Sequence, residues 1–287
     1  MQRIEWKKKD SRNVMETVER CGVPYLSFPV LEETGLVTHG FSTRLGGVSE
    51  GVYASMNFSF TRGDEPEHVR ENYRRMAKAL GVEAESMVLT YQTHTVNIRR
   101  TGKEDRGKGV FRERDYRDID GLVTDEPGVT LVTFFADCVP LYFLDPVRHA
   151  IGLSHSGWRG TVGKIGKITV ERMGEEFGSK PEDIIACIGP SICKDCFEVG
   201  EEVVELFAKA FPSKIHDRLF SPNGKPGKYQ LDLWEANREI LLEAGIRPER
   251  LQVTNLCTCC NPDYLYSHRK MGEKRGNLCA FLALKEE

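Results

Sequence analysis

Val129-Thr130-Leu131-Val132-Thr133-Phe134-Phe135-Ala136, followed shortly by Leu141-Tyr142-Phe143-Leu144 and Ala150-Ile151-Gly152-Leu153-Ser154, decides how this chain is read. The first run is almost continuously apolar and β-branched, the pattern of a strand covered on both faces. The second and third lie too close together for a helical crossover, so they pair as a hairpin within a mixed sheet. Helical spacing appears around them. Val69, Tyr73, Met76, Ala77 and Leu80 share one face of residues 67–80, which Gly81 closes. Further helices are predicted over about 162–177, in spite of Gly163, Gly166 and Gly174, and over 201–211 and 233–244. Strands are predicted at 88–91, 184–188, 251–255 and 279–284. This interleaving defines an α/β protein of the α+β kind. With no internal repeat and no linker-like tract, the reading is a charged N-terminal arm over 1–36 and a single catalytic domain over 37–287. The polar stretch 101–118 reads as a mobile loop.

The chain has 287 residues, 40% hydrophobic and 29% charged, with a formal net charge of −3. That balance suits a globular body with a sizeable core and gives no reason to expect nucleic acid or an anionic membrane as partner. Lys7-Lys8-Lys9 reads as a solvated segment. No apolar run approaches the ~20 residues of a membrane span, and the polar start lacks a signal peptide's apolar centre, so a cytoplasmic location is expected. Nine cysteines is an odd number for a reducing compartment. Packing or metal binding is expected of them.

Three soft or borderline ligands stand at the tails of strand-like segments: His94 in Gln92-Thr93-His94, Cys138 in Ala136-Asp137-Cys138, and His155 in Ser154-His155-Ser156-Gly157. A thiolate with two imidazoles suits zinc, and three protein ligands leave a coordination position for water or substrate. Asp137 or Gln92 is the expected acceptor for the other imidazole nitrogen. Cys193-Lys194-Asp195-Cys196 and Cys257-Thr258-Cys259-Cys260 form a rival pairing. Its second half reads as CxCC, a poor match to zinc-ribbon spacing, so packed or site-lining thiols are favoured there.

Other motifs fail on spacing. Gly160-Thr161-Val162-Gly163-Lys164-Ile165 lacks the first glycine and the final hydroxyl of a P-loop. Gly152-Leu153-Ser154-His155-Ser156-Gly157 misses the nucleophile-elbow spacing. No histidine is followed two positions later by glutamate, as a cytidine-deaminase site needs. Seven histidines without a His-x-His pair are too few for a multicopper cluster.

Taken together, the segments His39-Gly40-Phe41-Ser42-Thr43-Arg44, Gln92-Thr93-His94, Asp120-Gly121-Leu122-Val123-Thr124, Ala136-Asp137-Cys138-Val139-Pro140, His155-Ser156-Gly157-Trp158-Arg159-Gly160, Ile188-Gly189-Pro190 and Tyr266-Ser267-His268-Arg269 resemble the YfiH/YlmD family. Its members were first labelled laccase-domain proteins and are now regarded as purine nucleoside phosphorylases. The resemblance implies a layered α/β/β/α fold with mixed inner sheets and zinc on His94, Cys138 and His155. It also implies phosphorolysis of adenosine, inosine, guanosine and methylthioadenosine, together with adenosine deamination. Purine nucleosides and phosphate are then the expected partners, while the oligomeric state stays open. The ending Lys274-Arg275-Gly276-Asn277 departs from the family's more frequent form and leaves an anion contact from that arginine open.

Within this scheme Asp137 is the candidate for proton transfer beside Cys138 and His155. Arg44 and Arg159, each next to a glycine-containing turn, are candidates to hold phosphate, and Asn57 to contact base or ribose. Two alternatives stand beside it: a cysteine hydrolase with Cys138 as nucleophile and His155 as base, and a zinc protein that binds nucleosides without turnover.

Overall fold

The computed structural model describes residues 4–286. Two six-stranded sheets are stacked face to face. The first has the order β1-β2-β3-β15-β7-β4, built from β1 (Glu16–Arg20), β2 (Val23–Ser27), β3 (Val37–Ser42), β4 (Met87–Leu89), β7 (Thr130–Phe135) and β15 (Leu278–Leu284). The second has the order β14-β10-β8-β9-β6-β5, built from β5 (Ile98–Arg100), β6 (Gly121–Thr124), β8 (Val139–Asp145), β9 (Ala150–Ser156), β10 (Ile185–Ile188) and β14 (Leu251–Val253). A small third sheet joins β11 (Glu198–Gly200), β13 (Lys228–Leu231) and β12 (Phe220–Pro222). Both large sheets mix parallel pairs, such as β4 with β7, and antiparallel ones, such as β8 with β9.

The two-residue period of the strands explains the layering. Along β15, Leu278, Ala280, Leu282 and Leu284 enter the core between the sheets, whereas Cys279 and Phe281 enter the outer core under the helix Pro66–Leu80. Along β8, Tyr142 and Leu144 face the inter-sheet core. Val139, Leu141 and Phe143 face the opposite layer, which is packed by the helices Ile165–Phe177, Glu201–Ala210 and Leu233–Glu243. Each sheet is therefore buried on both faces, and the α/β/β/α order follows. Among the described residues, no helix is long and apolar enough to cross a membrane.

The strand ending at Phe135 and the hairpin β8–β9 lie in different sheets, because the chain crosses from the first sheet to the second at Ala136-Asp137-Cys138. Two expectations change. Part of the segment read as a charged arm, 1–36, is a hairpin of the first sheet: β1 pairs with β2, and β2 with β3. Its polarity belongs to β1, an exposed edge strand, while β2 is wholly buried; residues 1–3 of that arm lie outside the described residues. The stretch 101–118 is pinned rather than loose. Buried Asp105 accepts from Lys108 Nζ at 2.7 Å, Arg99 Nη2 at 2.9 Å and Thr101 Oγ1 at 2.8 Å, and Lys108 also reaches Asp115 at 2.8 Å.

Candidate metal centre and its cleft

The crossing between sheets creates the site. Register sends Cys138 and His155 to the same side as Tyr142 and Leu153, toward the inter-sheet layer, at the end where that layer opens to solvent. The His155 ring lies 5.5 Å from that of Phe135 at the end of β7. His94 arrives from the first sheet, on the loop after β4, with φ of 65°. The ligand atoms of His94, Cys138 and His155 all lie within 4.8 Å of one another. Cys138 Sγ is 3.9 Å from His94 Nε2.

Gly157 closes the arrangement from behind. A Cβ there would sit 2.7 Å from His94 Cδ2 and 3.2 Å from Cys138 Sγ, so a side chain at this position would displace the ring or the sulfur.

Asp120 holds the centre together; its segment is among those that carry the family resemblance, but the sequence reading assigned it no role. Its Oδ1 accepts from His155 Nδ1 at 2.8 Å and from the His94 amide at 3.1 Å. Its Oδ2 accepts from the amides of Thr93 at 3.0 Å and Thr95 at 2.9 Å and from Thr95 Oγ1 at 2.9 Å. One fully buried carboxylate thus shapes the His94 loop and orients the His155 ring, leaving Nε2 of that ring for a metal. Asp137 and Gln92, the expected acceptors, are engaged elsewhere. Gln92 exchanges two hydrogen bonds with the backbone of Phe134, at 2.9 and 2.6 Å. Asp137, at φ 93°, accepts from Thr258 Oγ1 at 2.6 Å and from the Arg269 amide at 2.7 Å.

Electrostatics favour a thiolate. Burial pushes the Cys138 thiol up, but the facing His155 and His94 outweigh it and bring the pKa down to about 6. Burial likewise lowers His155, and Cys138 and Asp120 outweigh it, raising the imidazole to about 9. Asp120 is pushed up by burial and pulled further down by His155 and the Thr93 and Thr95 amides, so it stays below its ordinary value. A charged Asp-His-Cys row results.

The three ligands open into a cleft of about 770 Å³. Tyr91, Phe134, Trp158 and Phe197 give it aromatic walls, and the guanidinium groups of Arg62, Arg114, Arg269 and Arg275 bring positive charge to its lining, beside the His268 ring. Among these, Arg275 stands apart. It is 5% exposed, forms no ion pair among the described residues, has Nε without a partner, and bonds only neighbouring oxygens of Gly276 and Asn277. Burial brings its pKa down to about 10.

The arginines and asparagine expected to bind substrate are placed differently. Arg44 donates from Nε and Nη2 to the Ala54 carbonyl at 2.9 and 2.8 Å, donates from Nη1 to that of Pro262 at 3.0 Å, and stays outside the cleft lining. Arg159 is exposed and stacks 4.2 Å over the Trp158 ring, also outside the lining. Asn57 is buried beneath the wall. It bonds the amides of Ser59 and Asn277, both lining residues, at 3.0 and 2.9 Å. A glycine-flanked arginine and a turn asparagine gave the sequence reading no way to tell substrate contacts from internal ones.

Fold and site define a two-sheet α/β/β/α protein with an open His-Cys-His centre at the seam between its sheets. A family model described as multi-copper polyphenol oxidoreductase laccase matches residues 38–285. The chain is 38% identical over 254 residues to purine nucleoside phosphorylase YlmD of Bacillus subtilis, covering 87% of this chain and 89% of that protein. It is 35% identical over 238 residues to adenosine deaminase RL5 from an unknown prokaryotic organism, covering 82% of this chain and 90% of that protein. The crystal structure of the Bacillus licheniformis hypothetical protein YfiH superimposes with a TM-score of 0.87 at 36% identity, covering 94% of this chain and 99% of that one. The chain belongs to this YfiH/YlmD family of laccase-like domains.

Proposed function

We propose that this protein is a zinc-dependent purine nucleoside phosphorylase that also deaminates adenosine, with His94, Cys138 and His155 as its metal ligands. The names of its relatives support the reaction class, and the observation that carries it here is the open three-ligand centre facing an aromatic cleft with an unpaired buried arginine. The donor set fits zinc: a thiolate and two imidazoles, one with its tautomer set by Asp120. It does not fit a multicopper oxidase. A single three-ligand centre cannot hold a copper cluster, and among the described residues no methionine lines the cleft to serve as the axial ligand of a blue-copper site.

A zinc ion so held is a Lewis acid that lowers the pKa of a coordinated water toward ~7. The chain's own residues do the rest. In phosphorolysis a phosphate oxygen replaces the purine nitrogen at the ribose carbon, giving ribose 1-phosphate and free base. Arg275, buried and without a carboxylate, binds that phosphate, assisted by the positive charge of Arg269 and a hydrogen bond from His268. The purine lies against Phe134, Trp158 and Phe197, whose faces suit any of the adenosine, inosine, guanosine or methylthioadenosine bases. In deamination water adds at the purine carbon bearing the amine and ammonia departs. Asp137, with an acceptor bond on each oxygen, positions Arg269 and the sheet crossing instead of moving a proton.

A second reading, a cysteine hydrolase, is favoured by the Cys138–His155–Asp120 row. The two are separated by incubating zinc-loaded protein with adenosine, with and without phosphate, and resolving products. Adenine with ribose 1-phosphate, and inosine, are expected, and all are expected to vanish in Cys138→Ser together with one zinc. No ribose phosphate and no inosine from zinc-loaded protein refutes the proposal.

A further inference from the structure

Four cysteines far from the cleft's ligands in sequence form a second cluster. The sulfurs of Cys193, Cys196, Cys257 and Cys260 all lie within 4.8 Å of one another, and Cys196 Sγ is 3.5 Å from Cys260 Sγ. A zinc ion with four Zn–S bonds of about 2.3 Å has sulfurs about 3.8 Å apart along each tetrahedral edge. One edge lies close to that spacing and none exceeds 4.8 Å, which leaves the group too tight to enclose a multinuclear iron–sulfur core. Cys138 apart, the remaining cysteines behave otherwise: Cys187 and Cys279 are packing groups in the inter-sheet and outer cores, Cys259 packs half-buried against the helix-side core, and Cys21 is exposed.

The local backbone has the form that tetrathiolate sites use. Cys193 caps the one-turn helix Lys194–Cys196, so the first pair is a Cys-x-x-Cys knuckle. The second pair, Cys257 and Cys260, is also Cys-x-x-Cys, with Cys259 in an interior position; reading those residues as CxCC hides it. The Cys193 amide donates to Cys257 Sγ at 3.2 Å, a direct tie between the two knuckles. Lys9, held at 2.8 Å from Asp195 inside the first knuckle, brings a positive charge beside a group that four thiolates would leave net negative. Sheet pairing brings the knuckles together, through a bridge between Ser191 and Cys257 and a hydrogen bond of 3.1 Å from the Thr258 amide to the Ser191 carbonyl.

We propose that Cys193, Cys196, Cys257 and Cys260 bind a structural zinc ion, a closed four-thiolate site separate from the His94–Cys138–His155 centre. Its position gives it a task. Ile192 and Phe197, which flank the first knuckle, line the cleft. Thr258, within the second, donates to Asp137 at 2.6 Å, and Arg269 donates to the carbonyls of Cys196 at 2.9 Å and Glu198 at 2.8 Å. The ion ties the two knuckles into one wall and fixes Arg269 in the cleft lining from behind. The inference is independent of the catalytic reading.

The test counts zinc per chain in full-length protein purified under reducing conditions. Two are expected in the parent chain, one in Cys260→Ser and one in Cys138→Ser, the survivor being a different ion in each. Cobalt replacement tells them apart: the intense sulfur-to-metal charge transfer of a four-thiolate centre persists in Cys138→Ser and disappears in Cys260→Ser. Should Cys260→Ser not fold, alkylation of the unaltered protein serves, with the four cysteines protected until a chelator is added. One zinc that survives Cys260→Ser and leaves with Cys138→Ser overturns the proposal, as do four cysteines that alkylate freely in zinc-replete protein or are recovered as disulfides. One zinc lost with Cys260→Ser and kept by Cys138→Ser upholds this site and refutes the catalytic one.

Discussion

Asp120→Asn is the most direct probe of how the candidate centre is assembled. The carboxylate accepts five hydrogen bonds, two on Oδ1 and three on Oδ2, and all five donors belong to the His94 loop or to His155. An amide oxygen placed at Oδ1 keeps His155 Nδ1 and the His94 amide but turns an NH₂ group toward the amides of Thr93 and Thr95. Two part-buried donors then face a donor, and because solvent reaches this loop the cost lies toward the low end of about 1–3 kcal/mol each. The opposite rotamer leaves His155 without its acceptor and frees the ring to turn. The loop can escape either penalty only by moving His94 away from Cys138 and His155. Replacing such an orienting partner typically weakens metal affinity 10–100-fold, about 1.4–2.8 kcal/mol. Competition with a chromophoric zinc chelator at constant pH measures the change, and circular dichroism of the metal-free variant checks that the sheets persist. A folded Asp120→Asn protein whose zinc affinity stays within twofold of the parent would refute the argument.

Arg275→Gln is expected to raise KM for phosphate about tenfold or more while adenosine deamination, which needs no phosphate, keeps its kcat; equal loss of both activities would count against a phosphate role. Arg44→Gln should instead lower thermal stability, since three bonds to the carbonyls of Ala54 and Pro262 disappear at ~1 kcal/mol each, and leave KM for phosphate in place. Gly157→Ala leaves a backbone of φ −70° and ψ 172° that alanine accepts, so a loss of zinc affinity of roughly 10–100-fold with little change in metal-free stability would isolate the steric push on His94 and Cys138. In metal-free protein the alkylation rate of Cys138 should rise with pH through a midpoint of about 6, because the thiolate reacts and its pKa is depressed. His155→Ala should move that midpoint toward the ordinary ~8.5, and an unchanged midpoint would remove His155 as the cause.

What the sequence made legible follows from where each signal lies. The apolar run of β7 and the hairpin β8–β9 show their burial in consecutive residues, and the ligands end those strands, so both were visible. The sheet crossing was not. Ala136-Asp137-Cys138 is as short as a hairpin turn, and only the positive φ of Asp137, with Pro140 just beyond, carries the chain into the other sheet. Strand β1 escaped because an edge strand need not be apolar, and its residues Glu16-Thr17-Val18-Glu19-Arg20 look like solvated arm. Asp120 escaped for a different reason. It is 35 positions from His155 and 26 from His94, so nothing in the sequence neighbourhood of either histidine advertises the carboxylate that binds both.

The two sheets also explain why the His94–Cys138–His155 cluster lies at this end of the layer. His94 follows a strand of the first sheet, His155 belongs to the second, and Cys138 stands at the only short link joining β7 to β8. Each sheet is packed on both faces, so strand positions are set by cores that do not involve the ligands. Three donors carried by separately rigid layers meet with little freedom to collapse on one another, and that geometry favours an open three-ligand centre over a closed one. The four-cysteine cluster has the opposite construction. Both of its knuckles lie at one edge of the second sheet, beyond β10 and β14, where the chain can fold fully around an ion. The difference between an exposed coordination face and a closed one is thus already contained in which strands deliver the ligands.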